Sequence, residues 1–500
     1  MNEVSIAMPQ SETPYRSLSA KRRYRTTLIQ ALAIAAMTSA TAAYADGTVP
    51  SLAPTSKADT QAEDTQAAGQ TATPSPTAKT ATVAKGISDI AAEHGIYFRA
   101  FLDEELAANP VGGIRHGSTA SQYAAYGGDV DLQKLVGWKG GIFHMTIISE
   151  SSTGLSSKYI GGGIDAQENY APFNLTRFLN LTYEQNLSLL HKNDVNFIVG
   201  RMGAFPSFAK SAYACTFMNH AFCGNLYGFS QDTGTALAPL STWGGRIRFN
   251  FTPKVYAQFG GFAIDGGTFL QNTHITNFSN TRVTGTNWMG EVGYETTFAN
   301  DAMPRSYRLG SWYLDAPRND VFENTRGQNY FQYGGSRLRH RGETGVYATA
   351  DQVIYRPDSS MRNVAVFGSA FYNGNGGEAV KYALKAGVVK TGTFPGRDRD
   401  TVGFAVSDTA FSANEVSYLN YEQIKGGGPG NVASKEYIFE VNYGYAVAPG
   451  VVLRPDLQYI MNPDPRYSPT YAKKIPNALV VGLMLTINLD TLLGMPHLGS

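Results

Sequence analysis

Lys435-Glu-Tyr-Ile-Phe-Glu-Val-Asn-Tyr-Gly-Tyr-Ala-Val447, Gly450-Val-Val-Leu-Arg-Pro-Asp-Leu-Gln-Tyr-Ile-Met461 and Asn477-Ala-Leu-Val-Val-Gly-Leu-Met-Leu-Thr-Ile-Asn-Leu489 are three consecutive runs in which apolar and polar residues alternate. In the first, Tyr437, Phe439, Val441, Tyr443 and Tyr445 take every second position, with Glu436, Glu440, Asn442 and Gly444 between them. The second sets Val451, Leu453, Leu457, Tyr459 and Met461 against Arg454, Asp456, Gln458 and Asn462, and the third repeats the pattern through Leu479, Val481, Leu483, Leu485, Ile487 and Leu489. Successive side chains of a strand point to opposite faces, so each run has one apolar and one wet face. A soluble sandwich shares that alternation. Run length argues for a membrane barrel: a strand needs about 9–11 residues to cross a bilayer at a tilt.

Composition points the same way. The chain holds 29 Tyr, 26 Phe and 53 Gly, yet its mean hydropathy is slightly negative. A barrel can place aromatics in interfacial girdles and fill its interior with water, whereas a soluble protein would hide them in an aliphatic core. The near-neutral charge argues against nucleic acid as a partner.

Lys21, Arg22, Arg23 and Arg25 precede an apolar run from Leu28 to Met37, and Ala43-Tyr44-Ala45 offers a small-residue cleavage site. Residues 1–45 therefore read as a secretory signal peptide, too short in its apolar part to span a membrane. Their removal leaves the chain slightly acidic. Residues 46–85, rich in Ala, Thr, Gln, Ser and Pro, bury too little apolar surface to offset ordering and read as a disordered periplasmic tail. No later segment has the apolar run of a membrane helix, so an exported chain that crosses a membrane must do so as a closed sheet.

Alternation bounded by turn residues predicts a short helix over 87–94 and sixteen strands near 96–105, 119–130, 138–149, 174–190, 194–203, 241–252, 254–264, 286–299, 305–315, 341–355, 362–372, 379–391, 401–410, 435–447, 450–461 and 477–489. Links after even-numbered strands are mostly short, such as Thr252-Pro253. Links after odd-numbered strands are mostly long, including 204–240, 265–285, 316–340 and 411–434. Short periplasmic turns and long outer loops of an even, antiparallel transmembrane β-barrel over 86–490 give this asymmetry. The link near Asn373 to Gly377 is shorter than the scheme expects, and 491–500 is a C-terminal extension.

If large apolar residues face lipid, strand parity places their polar neighbours in the channel. Ile247, Phe249 and Phe251 then leave Arg246, Arg248 and Asn250 inside, and Trp288, Val292 and Tyr294 leave Glu291 and Glu295 inside. Glu440, Arg454, Asp456 and Gln458 join them from the C-terminal runs. A wall of mixed sign suits a neutral, hydroxylated solute better than an ion of one sign. Arg337, Arg339 and Arg341 alternate at the base of a long loop, where they either donate to sugar hydroxyls in the pore or form a solvated basic patch meeting lipid phosphates.

The 204–240 loop carries Phe205, Phe208, Tyr213, Phe217, Phe222, Tyr227 and Phe229, too many rings to leave in water. It either folds into the barrel or covers the rim, and partial inward folding is the expectation. It also holds the chain's two cysteines, Cys215 and Cys223. In an exported protein a close pair is expected to form a disulfide rather than half of a metal set.

Catalytic chemistry is not expected. The eight histidines show no i, i+4 pair, no G-x-S-x-G elbow occurs, and the glycine-rich Gly374–Gly377 and Gly426–Gly430 stretches lie between strands with no following helix to cradle a phosphate. Glu291 and Glu295, four apart on a strand, stand about 13 Å apart at the backbone, wider than hydrolase carboxylates. No cofactor or metal is expected.

Glu436-Tyr-Ile-Phe-Glu-Val-Asn-Tyr-Gly-Tyr445, Leu453-Arg-Pro-Asp-Leu-Gln-Tyr-Ile460, Asn462-Pro463 and Asn477-Ala-Leu-Val-Val-Gly-Leu483 together resemble the C-terminal signature of the carbohydrate-selective porin (OprB) family. Leu181-Thr-Tyr-Glu-Gln185 with Gly200-Arg201, and Gly345-Val-Tyr347 with Asp351-Gln352, are similar to further stretches of it. The resemblance implies a sixteen-stranded barrel in the Gram-negative outer membrane, through which mono- and oligosaccharides diffuse past arginine and acidic side chains. A general or polyol porin is the alternative. The implied partners are the sugars and the surrounding lipid and lipopolysaccharide, with the protein either a homotrimer or a monomer. The chain departs from the common pattern of ending on an aromatic residue, since it continues from Asp490 to Ser500.

Overall fold

The computed structural model describes residues 86–499 apart from 170–173, 191–193, 206, 224–226, 237, 270–277, 279–280, 358–360 and 376. The expected signal peptide and tail lie outside the described residues. A helix, Ile87–Glu93, leads into eighteen strands: β1 (Ile96–Val111), β2 (Ser118–Asp131), β3 (Gly141–Ser152), β4 (Leu175–Leu187), β5 (Val195–Met202), β6 (Thr242–Asn250), β7 (Val255–Asp265), β8 (Val283–Glu295), β9 (Arg305–Leu314), β10 (Arg318–Asn324), β11 (Arg337–His340), β12 (Glu343–Tyr355), β13 (Asn363–Asn373), β14 (Val380–Thr391), β15 (Thr401–Phe411), β16 (Lys435–Ala448), β17 (Val451–Met461) and β18 (Ala478–Asn488). Sixteen of them close into one antiparallel barrel, while β10 and β11 form a separate two-stranded sheet.

Each of the sixteen expected runs is a barrel strand. β1 closes the sheet on β18, with Phe101 opposite Asn488 and Leu106 opposite Leu483. Closure leaves no edge, so every strand's backbone groups are paired within the sheet, which a bilayer interior requires. Among the described residues no helix is long and apolar enough to cross a membrane.

The outward face follows the alternation. Phe249, Trp288, Val292, Val441, Leu457, Tyr459 and Val481 are exposed on the barrel's surface. At the short-turn end, the Arg397 guanidinium lies 3.9 Å from the centre of the Tyr445 ring and Phe394 packs on Tyr443, the aromatic girdle expected at a lipid–water boundary. The tightest of these turns relies on Gly450, whose φ of 73° and close approach to the Asn488 carbonyl leave no room for a Cβ.

Three features escaped the alternation. On β13, Phe367 and Phe371 point inward and are buried, as are Phe262 on β7 and Trp312 on β9. The 316–340 link contains the β10–β11 hairpin, paired through Arg318 with His340 and Asn319 with Arg339. The 411–434 link contains a helix, Ala413–Lys425, whose N-terminus is capped by Ser412 accepting from the Glu415 N–H at 3.1 Å. Ser412-x-x-Glu415 is the sequence signal for that cap.

A charge on the lipid face should be costly. Leu457→Arg, near the middle of β17, is expected to destabilise the barrel by about 2–4 kcal/mol, measured as a shift in reversible guanidinium unfolding in liposomes; an unchanged midpoint would place Leu457 away from lipid.

Candidate channel lining

The 203–241 connection between β5 and β6 enters the barrel. Phe205, Phe208, Phe217, Phe222 and Phe229 are each at most 1% exposed. They pack on the inward aromatics that the alternation did not anticipate: Phe229 on Trp312 and Phe371, Phe208 on Phe262, and Phe217 on Phe367. Each buried ring contributes about 1.5–3 kcal/mol, and inward rings on β7, β9 and β13 receive this loop.

Burying a loop also buries its backbone, whose N–H and C=O groups then need partners. The wall supplies them. Ala209 N–H donates to Glu291 Oε2 at 2.7 Å, and Ala212 N–H donates to Asp351 Oδ2 at 3.0 Å. Met218 and Asn219 N–H groups donate to the two oxygens of Glu440 at 2.6 and 2.9 Å. Lys385 Nζ donates to the Phe222 carbonyl at 2.6 Å, and Asn442 Nδ2 to the Thr216 carbonyl at 2.9 Å. Cys215 and Cys223 form a disulfide across this docked segment.

Two further contacts fix the loop. From the β3–β4 connection, Glu168 N–H donates to the Met218 carbonyl at 2.9 Å, and the Glu168 carboxyl lies 2.5 Å from His220 Nδ1. At the loop's far end Asp232 accepts from the N–H groups of Ala379 at 2.8 Å and Val380 at 3.2 Å. Asp232 thus satisfies N–H groups at the end of the short β13–β14 link and the start of β14. Burial pushes the Asp232 carboxyl up to about 7, against the opposing pull of the Arg318 guanidinium and the Ala379 N–H.

Polar side chains form a continuous belt across β1 to β9, which meets the loop through Arg246, Gln258, Glu291 and Arg308. The register makes Asn186, Asn196, Arg248, Gln258 and Glu291 successive direct neighbours on β4 to β8. Arg99 pairs with Asp129 at 2.9 Å; His144 lies between Asp129 at 2.6 Å and Glu184 at 3.0 Å; and Asn196 Nδ2 donates to Glu184 at 2.7 Å. Arg246 then bonds Asn196, and Arg248 pairs with Glu295 while its guanidinium sits 3.7 Å from the centre of the Tyr256 ring. Arg308 ends the belt, donating to Tyr256 Oη at 3.1 Å and to the Lys210 carbonyl at 2.8 Å. Arg99, Glu184, Arg248 and Glu295 keep between 22% and 32% of their side-chain surface accessible, whereas the loop anchors Glu291, Asp351 and Glu440 are buried.

The residues singled out from parity therefore separate. Arg246, Arg248 and Glu295 lie in the solvent-accessible belt. Glu291, Glu440, Arg454, Asp456 and Gln458 point inward as expected, but they are buried, from 0% exposure at Gln458 to 9% at Arg454. They are a floor beneath the docked loops rather than an open wall. Glu291 is saturated by Ala209 N–H and by Tyr256, Gln258 and Tyr347 side chains, and Gln458 by Asn219 and the Ala166 carbonyl. Parity assigns a face of the sheet; it carries no information about what covers that face. Arg337, Arg339 and Arg341 are not on the barrel wall either. Arg337 and Arg339 belong to β11 and Arg341 follows it, with Arg339 and Arg341 exposed.

Parity alone left out Arg99, Asp129, His144, Glu184 and Arg308. Their signals were present in Phe143-His144-Met145, Tyr183-Glu184 and Tyr307-Arg308-Leu309, where a polar residue is set among outward apolar ones.

The model of a family described as "Carbohydrate-selective porin, OprB family" matches residues 115–489. Porin B of Pseudomonas aeruginosa is 27% identical over 417 residues, covering 79% of this chain and 87% of its own length. A putative porin, QuiX, of Acinetobacter baylyi is 24% identical over 79% of this chain and 90% of its own. The high-pH structure of Pseudomonas putida OprB superposes with a TM-score of 0.72 at 25% identity, covering 80% of this chain and 96% of that one.

Removing an anchor should free the loop. Glu440→Ala is expected to lower stability by about 1.5–3 kcal/mol and to raise open-channel current noise in planar bilayers; a quiet channel of unchanged stability would show that the loop does not depend on it. Asp232 gives a pH dependence. Its folded value of about 7 lies above the ordinary 3.8, so its contribution is full below about pH 4 and is lost as pH rises through 7. Asp232→Asn should flatten that decline in thermal stability between pH 5 and 8, and an identical pH profile in the two proteins would rule the latch out.

Proposed function

Because the chain belongs to the carbohydrate-selective porin (OprB) family and so lies in the Gram-negative outer membrane as a sugar-diffusion porin, we propose that mono- and oligosaccharides cross it along the belt of β1 to β9. The docked loop meets the belt at its β6–β9 end, through Ser207 and Lys210. The observation that carries this reading is the mixing of both signs along the belt, from Arg99 and Asp129 through Glu184 and Arg246 to Arg248, Glu295 and Arg308. An ion of either sign meets both attraction and repulsion there, whereas a hydroxyl donates to a carboxylate and accepts from a guanidinium with equal ease.

Arg246 and Arg248 are the side chains we assign to sugar contact, with Glu295 as the accepting partner. Arg248 is held by stacking on Tyr256 and by Glu295 and Asn250, so little rotamer freedom is lost when a solute binds. Passage is passive, with no bond made or broken.

Liposome swelling with glucose, an amino acid and a small anion of matched size tests the reading. Glucose should enter fastest, and Arg248→Ala should reduce its advantage by up to about tenfold, the worth of one charge-assisted hydrogen bond. Equal rates for all three solutes through the unmodified protein would make it a general porin.

A further inference from the structure

His144 stands on the inner face of β3 at one end of the belt, between the outward-facing Phe143 and Met145. Its Nδ1 lies 2.6 Å from Asp129 Oδ1 on β2, its direct neighbour in register, and its Nε2 lies 3.0 Å from Glu184 Oε2 on β4. A neutral imidazole has a single N–H, so it could donate to one carboxylate and would turn a lone pair toward the other. A proton on each nitrogen makes both contacts charge-assisted hydrogen bonds. Asp129 is ionised too, because it accepts from the Arg99 guanidinium at 2.9 Å. A proton drawn from Nε2 onto Glu184 would leave the sum unchanged: His144, Asp129 and Glu184 together carry one negative charge, and Arg99 balances it.

The two carboxylates are held where they are by more than the imidazole. Arg99 fixes Asp129, and Glu184 Oε1 accepts from Asn196 Nδ2 at 2.7 Å and from Asn186 Nδ2 at 3.3 Å. Removing the second proton of His144 therefore leaves a carboxylate charge in place rather than letting the side chain swing away. Among the described residues the charged groups around the ring are Arg99 from β1, Asp129 from β2, Glu184 from β4 and, beyond Asn196 of β5, Arg246 from β6. Tyr97, opposite Asp129 on β1, turns its hydroxyl to Lys134 Nζ at 2.5 Å. The side chains of His144, Glu184 and Arg99 keep 17%, 22% and 22% of their surface accessible, so their charge acts on the lumen and not only on the strands they join.

We propose that His144 sets the ion selectivity of the channel. As an imidazolium it offsets one of two lumen-facing carboxylates and leaves this end of the belt neutral; without its second proton the same end holds an uncompensated negative charge that draws cations. Bridging three strands calls only for hydrogen bonds, which an amide side chain also makes. An ionisable ring between two carboxylates does more, because it ties the charge of the channel to pH. The inference rests on the belt lining the channel and adds control of its charge.

The test reads the permeability ratio of K+ over Cl− in planar bilayers of neutral phospholipid under a KCl gradient, as the pH is raised from about pH 6 to about pH 10. The ratio of the unmodified protein should rise about two- to fivefold as the imidazolium loses its proton. His144→Gln should show the raised ratio already at the acidic end and change little from there, while His144→Arg, whose charge does not titrate over this range, should keep the low ratio throughout. Heat-resistant electrophoretic migration checks that each variant is folded, and the titration of the unmodified protein needs no variant. A ratio in the unmodified protein that does not move with pH, an equal movement in His144→Arg, or an unmodified ratio at the acidic end in His144→Gln overturns the assignment. The ionic readout requires no sugar to pass, so a protein that proved a general porin in the swelling assay would still show the shift.

Discussion

A polypeptide loop can lie inside a barrel only if its backbone polar groups find partners there, and in this protein those partners are side chains of the wall. Glu291, Asp351 and Glu440 accept loop N–H groups, and Lys385 and Asn442 donate to loop carbonyls. An unpaired buried amide costs about 1–3 kcal/mol, so a loop with this many buried groups would otherwise stay outside. There its five buried phenylalanines would face water. The aromatic packing and the anchors are thus two halves of one arrangement: ring burial drives the loop in, and the anchors fix where it lies.

Where the loop lies sets where the channel lies. The loop packs on the inward rings of β7, β9 and β13 and bonds to Arg246, Gln258 and Arg308 of the belt, and the accessible belt side chains Arg99, Glu184, Arg248 and Glu295 border the space left beside it. Each arginine of that belt is held on at least one side by a carboxylate, an amide or a ring. Such restraint keeps the guanidinium planes in place without neutralising them, which suits repeated weak contact with hydroxyls better than tight capture of one ion.

The outer loops extend this order outward. Arg318, Arg466 and Asp232 tie the hairpin, the helix Ala413–Lys425 and the β13–β14 link to the same inward loop. The mouth and the constriction therefore share structural supports, and a disturbance at Asp232 or Arg466 reaches both.

Much of the barrel was legible in the amino-acid order. Alternation has a period that depends only on the strand's own geometry, so Tyr437, Phe439 and Val441 had to share a face whatever surrounded them. The short and long links were likewise local, and they set the strand count and the side from which the loops emerge. The same reasoning put Glu440, Asp456 and Gln458 on the inward face correctly, and then mistook them for channel wall. Whether an inward carboxylate meets water or a loop amide depends on residues more than two hundred positions away, as Met218 is from Glu440, and no local period encodes that distance. The inward Phe367 and Phe371 broke the rule for the same reason: their partners, Phe217 and Phe229, come from another part of the chain. Sequence alone determined which residues of each strand share a face; only the tertiary structure decided which part of the inside is open, because that depends on which distant segment comes to cover it.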